Sequence, residues 1–158
     1  MSDRIPMTPA GYVRLEEELK QLKKVDRRNI AKEIEIARAH GDISENAEFH
    51  AAKERQSHIE GRIRIVEDKL ARAQVIETGG SPPDTVRFGV TVLLSDDDTG
   101  EEVRYTIIGE DESDVAAGRI SVTSPVARAL LGKSVGDEVT VRVPKGSRSF
   151  EVLDIHFE

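Results

Sequence analysis

The sequence contains no cysteine and no tryptophan, and its aromatic residues amount to two tyrosines and four phenylalanines. Without cysteine there is no disulfide, no thiol nucleophile and no cysteine-based zinc site, a composition compatible with a reducing compartment. Hard oxygen ligands remain available. Long apolar runs are also missing. No stretch is long enough to span a bilayer and no short apolar core follows a basic N-terminus, so neither membrane insertion nor secretion is indicated and a cytoplasmic location is expected. The 158 residues, 37% of them hydrophobic, suffice for one ordinary domain, or for a small globular domain beside something elongated.

Charge shows that the two halves differ. Residues 1–76 carry 15 Lys/Arg and 14 Asp/Glu, a net of +1, whereas residues 77–158 carry 8 and 16, a net of −8, which together give the chain's −7. Within the first half, residues 20–38 hold seven basic and three acidic side chains, and residues 53–64 hold four and two. Between them, residues 39–52 hold three acids, Asp42, Glu45 and Glu48, and no Lys or Arg.

Hydrophobic spacing identifies the basic stretches as helices. From Phe49, the residues Ala52, Gln56, Ile59, Ile63, Val66, Leu70 and Ala73 follow at alternating steps of three and four, a heptad seam with one polar interruption. Upstream, Thr8 and Pro9 suit the N-cap and first position of a helix that continues through Tyr12, Leu15, Leu19 and Leu22. The seam loses phase around Asp26 to Asn29 and resumes at Ile30, Ile34 and Ala37. The pattern predicts two helices, roughly 9–39 and 43–75, each on the order of 45 Å long. Their connection is so short that they must be antiparallel neighbours.

The connection reads HGDISE, and turn chemistry alone accounts for it. Gly41 can end the first helix, Asp42 can cap the second, and Glu45 completes a capping-box-like pair. Glu48 is a solvated first-turn acid, favourable at a helix N-terminus. A functional reading rests on position. The end of a two-helix hairpin is far from any core, and Asp42 and Glu45, three residues apart, would lie side by side there. Two carboxylates satisfy only part of the octahedral oxygen shell of Mg²⁺, so such a pair holds the ion only if a partner supplies the other ligands. Basic shafts then suit a path lined by nucleic acid or acidic protein, and they equally suit an ordinary solvated coiled-coil flank. His50 and Glu54 stand four apart near the same end, a spacing too common to define a metal site.

Beyond TGGSPPD the period changes from helical to two. Phe88, Val90, Val92 and Leu94 alternate, as do Val103, Tyr105 and Ile107, with DDDTGEE as the turn between them. A strand at Ile120 to Thr123, a short helix opened by Ser124 and Pro125, and strands at Val139 to Val143 and Phe150 to Phe157 complete a compact, mainly antiparallel α+β domain. The expected division is therefore 1–76 for the hairpin, 77–84 for a linker and 85–158 for the second domain.

Four segments resemble the Gre transcript-cleavage factors of bacterial RNA polymerase, and the GreA branch in particular. IPMTPAGYVRLEEEL is similar to that family's start, ARAHGDISENAEFHAAKERQ to its hairpin tip, EGRI…LARAQVI to its second helix, and ISVTSPVARALLGKSVGDEV to its C-terminal signature. The resemblance covers essentially the whole chain. It implies a coiled-coil hairpin joined to an FKBP-like, polymerase-docking domain, in a protein that is not itself an enzyme. It also implies that the hairpin enters the polymerase secondary channel and promotes Mg²⁺-dependent hydrolysis of the nascent RNA 3′ segment in backtracked complexes. The family's two catalytic acids fall on Asp42, expected to help hold a second Mg²⁺, and Glu45, expected to orient or deprotonate the attacking water. Ser44, Asn46 and Glu48 would support the tip. Where the family often has Tyr after ENAE, this chain has Phe49.

Two other functions compete with this reading. One is an inhibitor that occupies the same channel without catalysing cleavage, which the presence of both acids argues against. The other is a prolyl isomerase or chaperone, suggested only by the fold that the resemblance implies, and fold is weak evidence of function. The few aromatic residues of the second half are a thin supply for a proline pocket.

Overall fold

A computed structural model describes residues 3–41 and 46–158, and the chain divides into two compact units. The first unit is the helical hairpin. Helix α1 (Pro9–Gln21) continues through a five-residue π-helical segment (Leu22–Asp26) into α2 (Arg27–Arg38), and α3 (Ala47–Arg72) returns alongside. At the start of α1, the Thr8 hydroxyl accepts the Gly11 N–H at 3.0 Å, the capping bond that a Thr-Pro start favours. The π segment explains the lost phase of the seam. After Leu22 the seam continues by steps of four through Asp26 to Ile30, one residue more than the heptad allows, and a wider i→i+5 turn absorbs the surplus residue. Leu22, Ile30, Ile34 and Ala37 are all buried as a result, opposite the buried Ala52, Ile63 and Val66 of α3.

The second unit comprises residues 3–11 and 73–158. Its main sheet has five strands in the order β5-β4-β3-β7-β6, formed by β3 (Val90–Asp96), β4 (Glu102–Ile108), β5 (Arg119–Ser121), β6 (Glu138–Val143) and β7 (Gly146–Phe157). All neighbours are antiparallel except β4 and β5. The central β3 places Val90, Val92 and Leu94 in the core with no exposure, and α4 (Pro125–Leu130) contributes Ala127 and Leu130 to the same cluster. Ser124 caps α4 by accepting the Ala127 N–H at 3.2 Å. A bulge opposite Leu93 and Leu94 inserts Leu153 into β7 and bends that long strand. At the β3–β4 turn, Asp96 accepts hydrogen bonds from the Asp98 N–H and from the Arg148 guanidinium, and the Arg148 bond holds its carboxyl below the usual carboxylate range.

The boundary between the units differs from the one read in the sequence at Ile76. Helix α3 ends at Arg72, and β2 (Ala73–Val75) pairs in parallel with β1 (Ile5–Met7), with Ile5 opposite Ala73 and Met7 opposite Val75. The Ile76 N–H adds a bond to the Met7 carbonyl at 2.9 Å. Both ends of the hairpin therefore belong to the compact unit of the β-sheet. Sequence periodicity continued the helix to residue 75 because Ala73 still fits the seam. Strand bonds between β1 and β2 satisfy these backbone groups instead.

Candidate functional site

The candidate site is the end of the hairpin where α2 meets α3. Asp42, Ile43, Ser44 and Glu45 lie outside the described residues, and so do the expected cap at Asp42 and the pairing of Asp42 with Glu45. The residues on either side of them are described, and one side chain joins the two. Asn46 donates its Nδ2–H to the Ala37 carbonyl at 2.5 Å, while its Oδ1 accepts the Phe49 N–H at 3.0 Å. Asn46 is thus the N-cap of α3 and at the same time satisfies a carbonyl at the open end of α2. The described part of the second helix begins at Ala47, and the start expected near residue 43 lies outside the described residues. On the α2 side, the His40 N–H reaches the Ala37 carbonyl at 3.1 Å, and Gly41 takes a φ of +123°, a conformation open to glycine.

Further contacts draw the two flanks together. His40 Nδ1 lies 3.4 Å from Glu48 Oε2, so a histidine from the end of α2 faces the first-turn acid of α3. Phe49 is half-buried against the cluster of Ile30, Ile34 and Ala52, with the Arg38 guanidinium 5.8 Å from its ring centroid. The Phe in place of Tyr therefore has a packing role. His50 approaches the edge of Phe49, and Glu54 lies 3.9 Å from His58, so the imagined pairing of His50 with Glu54 is not formed. Among the described residues, no three His, Asp or Glu side chains gather where they could hold a metal.

Below this end, the charged shafts are partly consumed by the hairpin itself. Arg27 forms a two-pronged contact with Glu60 at 2.8 Å for both bonds, and Arg62 does the same with Glu18 at 2.6 and 2.8 Å. Lys23 meets Glu67 at 2.7 Å and Arg55 meets Glu33 at 3.2 Å. The hydrogen bonds from Arg62 and Arg27 hold the Glu18 and Glu60 carboxyls below the usual range. Exposed pairs of this kind add little stability individually, but they fix which residues face each other. Lys20, Lys24, Arg28 and Lys32 are exposed and form no ion pair among the described residues. The positive charge left free by the hairpin is therefore smaller than the sequence count.

Replacing Asn46 with Ala removes both of its bonds at once. The hairpin is expected to lose about 1–2 kcal/mol of stability in urea unfolding followed by helical circular dichroism. An unchanged midpoint would show that Asn46 does not close this end.

The comparisons agree along the whole chain. Residues 5–75 match the family described as transcription elongation factor, N-terminal, and residues 81–157 match transcription elongation factor, GreA/GreB, C-term. A transcription elongation factor GreA from Rickettsia felis is 52% identical over 158 residues, which cover 100% of this chain and 98% of that one. A protein of the same name from Anaeromyxobacter sp. (strain K) is 56% identical over 154 residues, covering 98% of this chain and 93% of its own. A solved structure of the transcription factor Gfh1 is 32% identical, covers 99% of both chains and has a TM-score of 0.48.

Proposed function

The chain belongs to the GreA/GreB transcription elongation factors, and we propose that it works by carrying Asp42 and Glu45 on the end of its hairpin into the secondary channel of bacterial RNA polymerase. There it stimulates cleavage of the nascent RNA 3′ segment in backtracked or arrested complexes, so that elongation resumes from a new 3′ end. The hydrolytic centre is the polymerase's own, and the chain completes it.

The observation that carries this reading is the closure of the hairpin end by Asn46. The four residues that include both acids are bounded on one side by a turn fastened to Ala37 and on the other by a capped helix. Helix α3, with 26 residues, extends about 39 Å at ~1.5 Å per residue, which is a long reach for a seam only two helices wide. An arm of this kind presents the segment between its helices to a partner.

The donor set fits a shared metal. Asp42 and Glu45 are hard oxygen donors suited to Mg²⁺, and two carboxylates leave most of its coordination shell to the polymerase and the RNA phosphate. When bound, the ion supplies charge stabilisation at the scissile phosphate and a more acidic water. Asp42 would hold the ion on the side of the factor. Glu45 would accept a hydrogen bond, and then the proton, from the attacking water. Glu48, facing His40 in the first turn of α3, would add to the local negative charge. The β-sheet unit would dock on the polymerase.

In a stalled, backtracked polymerase complex with Mg²⁺, adding the native chain is expected to shorten the RNA from its 3′ end and to restore extension when nucleotides are supplied. RNA that keeps its length at saturating factor would contradict the proposed activity.

A further inference from the structure

The main sheet ends differently at its two edges. At β5 the backbone is closed by the segment before it, where the Asp114 N–H donates to the Arg119 carbonyl at 2.7 Å and the Arg119 N–H donates to the Asp114 carbonyl at 3.0 Å. The other edge strand, β6, pairs on one side only, with β7. Its neighbour shows which of its backbone groups stay free. The Ser149 carbonyl accepts the Asp97 N–H at 2.9 Å, so Ser149 turns its backbone towards the β3 side, whereas Val152 bonds Gly136 and Asp137 on the β6 side. Backbone direction alternates along a strand, so Phe150 and Arg148 face their register partners Val139 and Val141. Glu138, Thr140 and Arg142 therefore point their N–H and C=O groups away from β7, and none of these groups enters another backbone hydrogen bond among the described residues.

Free edges are ordinarily blunted by charge, proline or a bulge. Strand β6 carries charge, but of opposite sign on either side of its middle, with Glu138 two residues before Thr140 and Arg142 two residues after it. All three are exposed, and they share the sheet face opposite Val139 and Val141, which are buried in the core. Glu138 lacks a counter-charge. Its register partner on β7 is Glu151, and the hydrogen bond it shares with Asp97, with the charges of Asp97 and Glu151 nearby, pushes its carboxyl above the usual range. Arg142 forms no ion pair among the described residues.

We propose that β6 is a self-association edge, at which two copies of the chain pair their β6 strands antiparallel about a two-fold axis at Thr140, with Glu138 of each copy opposite Arg142 of the other. Thr140 then faces its own counterpart, and the outward backbone groups of both strands bond across the axis. A second copy supplies both missing counter-charges at the required spacing. The charges also select the register. An in-register parallel pairing would set like charges side by side, and a slip of two residues would leave both Arg142 side chains opposite no acid. The contact is one strand wide, so the association is weak and reversible. It goes beyond the cleavage reading and does not depend on it.

Sedimentation equilibrium of the full chain from micromolar to millimolar concentration tests this, at an ionic strength that screens the long-range repulsion between chains of net charge −7. The native chain is expected to show a reversible equilibrium between monomer and dimer. Glu138→Arg and Arg142→Glu each set like charges opposite one another across the axis, and each should raise the dimer dissociation constant by roughly tenfold or more. The double variant restores both pairs with the signs exchanged and should return the constant to within about threefold of native. Both positions are exposed, so all three variants should melt like the native monomer. A native chain that stays monomeric throughout, a dimer that the single reversals do not weaken, or one that the double reversal fails to restore would overturn the proposal.

Discussion

Glu45→Gln lowers factor-stimulated RNA cleavage by roughly 10²- to 10⁴-fold, the range lost when a positioned general base is removed. Asp42→Asn lowers it at limiting Mg²⁺ by about the 10- to 100-fold seen when the supporting partners of a metal are removed. Both substitutions preserve size and hydrogen-bonding capacity and remove only charge. The N-cap of α3 is Asn46, which neither substitution touches. Asn also caps a helix about as well as Asp, and Gln can replace Glu in a capping box, so a purely structural role predicts little change. Both variants should melt like the native chain and compete with it for the polymerase. Cleavage at the native rate by either variant, in a complex shown to contain it, would remove that residue from the mechanism.

Leu94→Ala destabilises the β-sheet unit by roughly 2–5 kcal/mol. Leu94 is fully buried on the central strand β3, which is bonded to β4 on one side and β7 on the other, so the neighbours have little freedom to close the cavity. For a domain with about 5–15 kcal/mol of total stability this is a large share. The melting temperature should fall by roughly 8–40 °C, taking about 4–8 °C per kcal/mol for a domain of this size. Ile36→Ala is the control. Ile36 is 61% exposed on α2, and its replacement should stay within about 0.5 kcal/mol. A Leu94→Ala protein that melts within a few degrees of the native one would mean that β3 is not the centre of this core.

Local chemistry made much of this fold legible in the sequence. The seam of α3 starts at Phe49 because each apolar residue is placed by the helix period alone. Thr8-Pro9 and Ser124-Pro125 announce α1 and α4 because the cap, the missing proline N–H and the first turn lie within four residues of each other. The loss of phase at Asp26 to Asn29 was visible as a pattern, and the π segment is its cause.

Contacts between distant residues were not legible. β1 and β2 have three residues each and no alternation that separates them from their neighbours, and they exist because the two ends of the hairpin meet. Glu112 reads as one more acid in an acidic loop, and only its approach to Thr8 distinguishes it. At the candidate site, the cluster of acids was evident from charge alone, and its resemblance to the Gre tip gave Asp42 and Glu45 their proposed roles. Asn46 is expected from the sequence as a support of the tip, and the structure adds how it ties the flanks together, as the cap of α3 and a donor to Ala37. A cap is recognised by where the helix begins, and several acidic and polar residues in a row offered more than one beginning.

The measurement that bears most directly on the account is the Mg²⁺ dependence of RNA cleavage in backtracked complexes saturated with factor, for the native chain and Asp42→Asn. If the hairpin end helps hold the ion, the variant should need roughly 10- to 100-fold more Mg²⁺ for half-maximal rate and should recover much of the native rate when Mg²⁺ is raised. If Asp42→Asn is slow at every Mg²⁺ concentration with the native half-maximal point, or is as fast as the native chain throughout, Asp42 is not a ligand of the shared metal and the central claim is wrong.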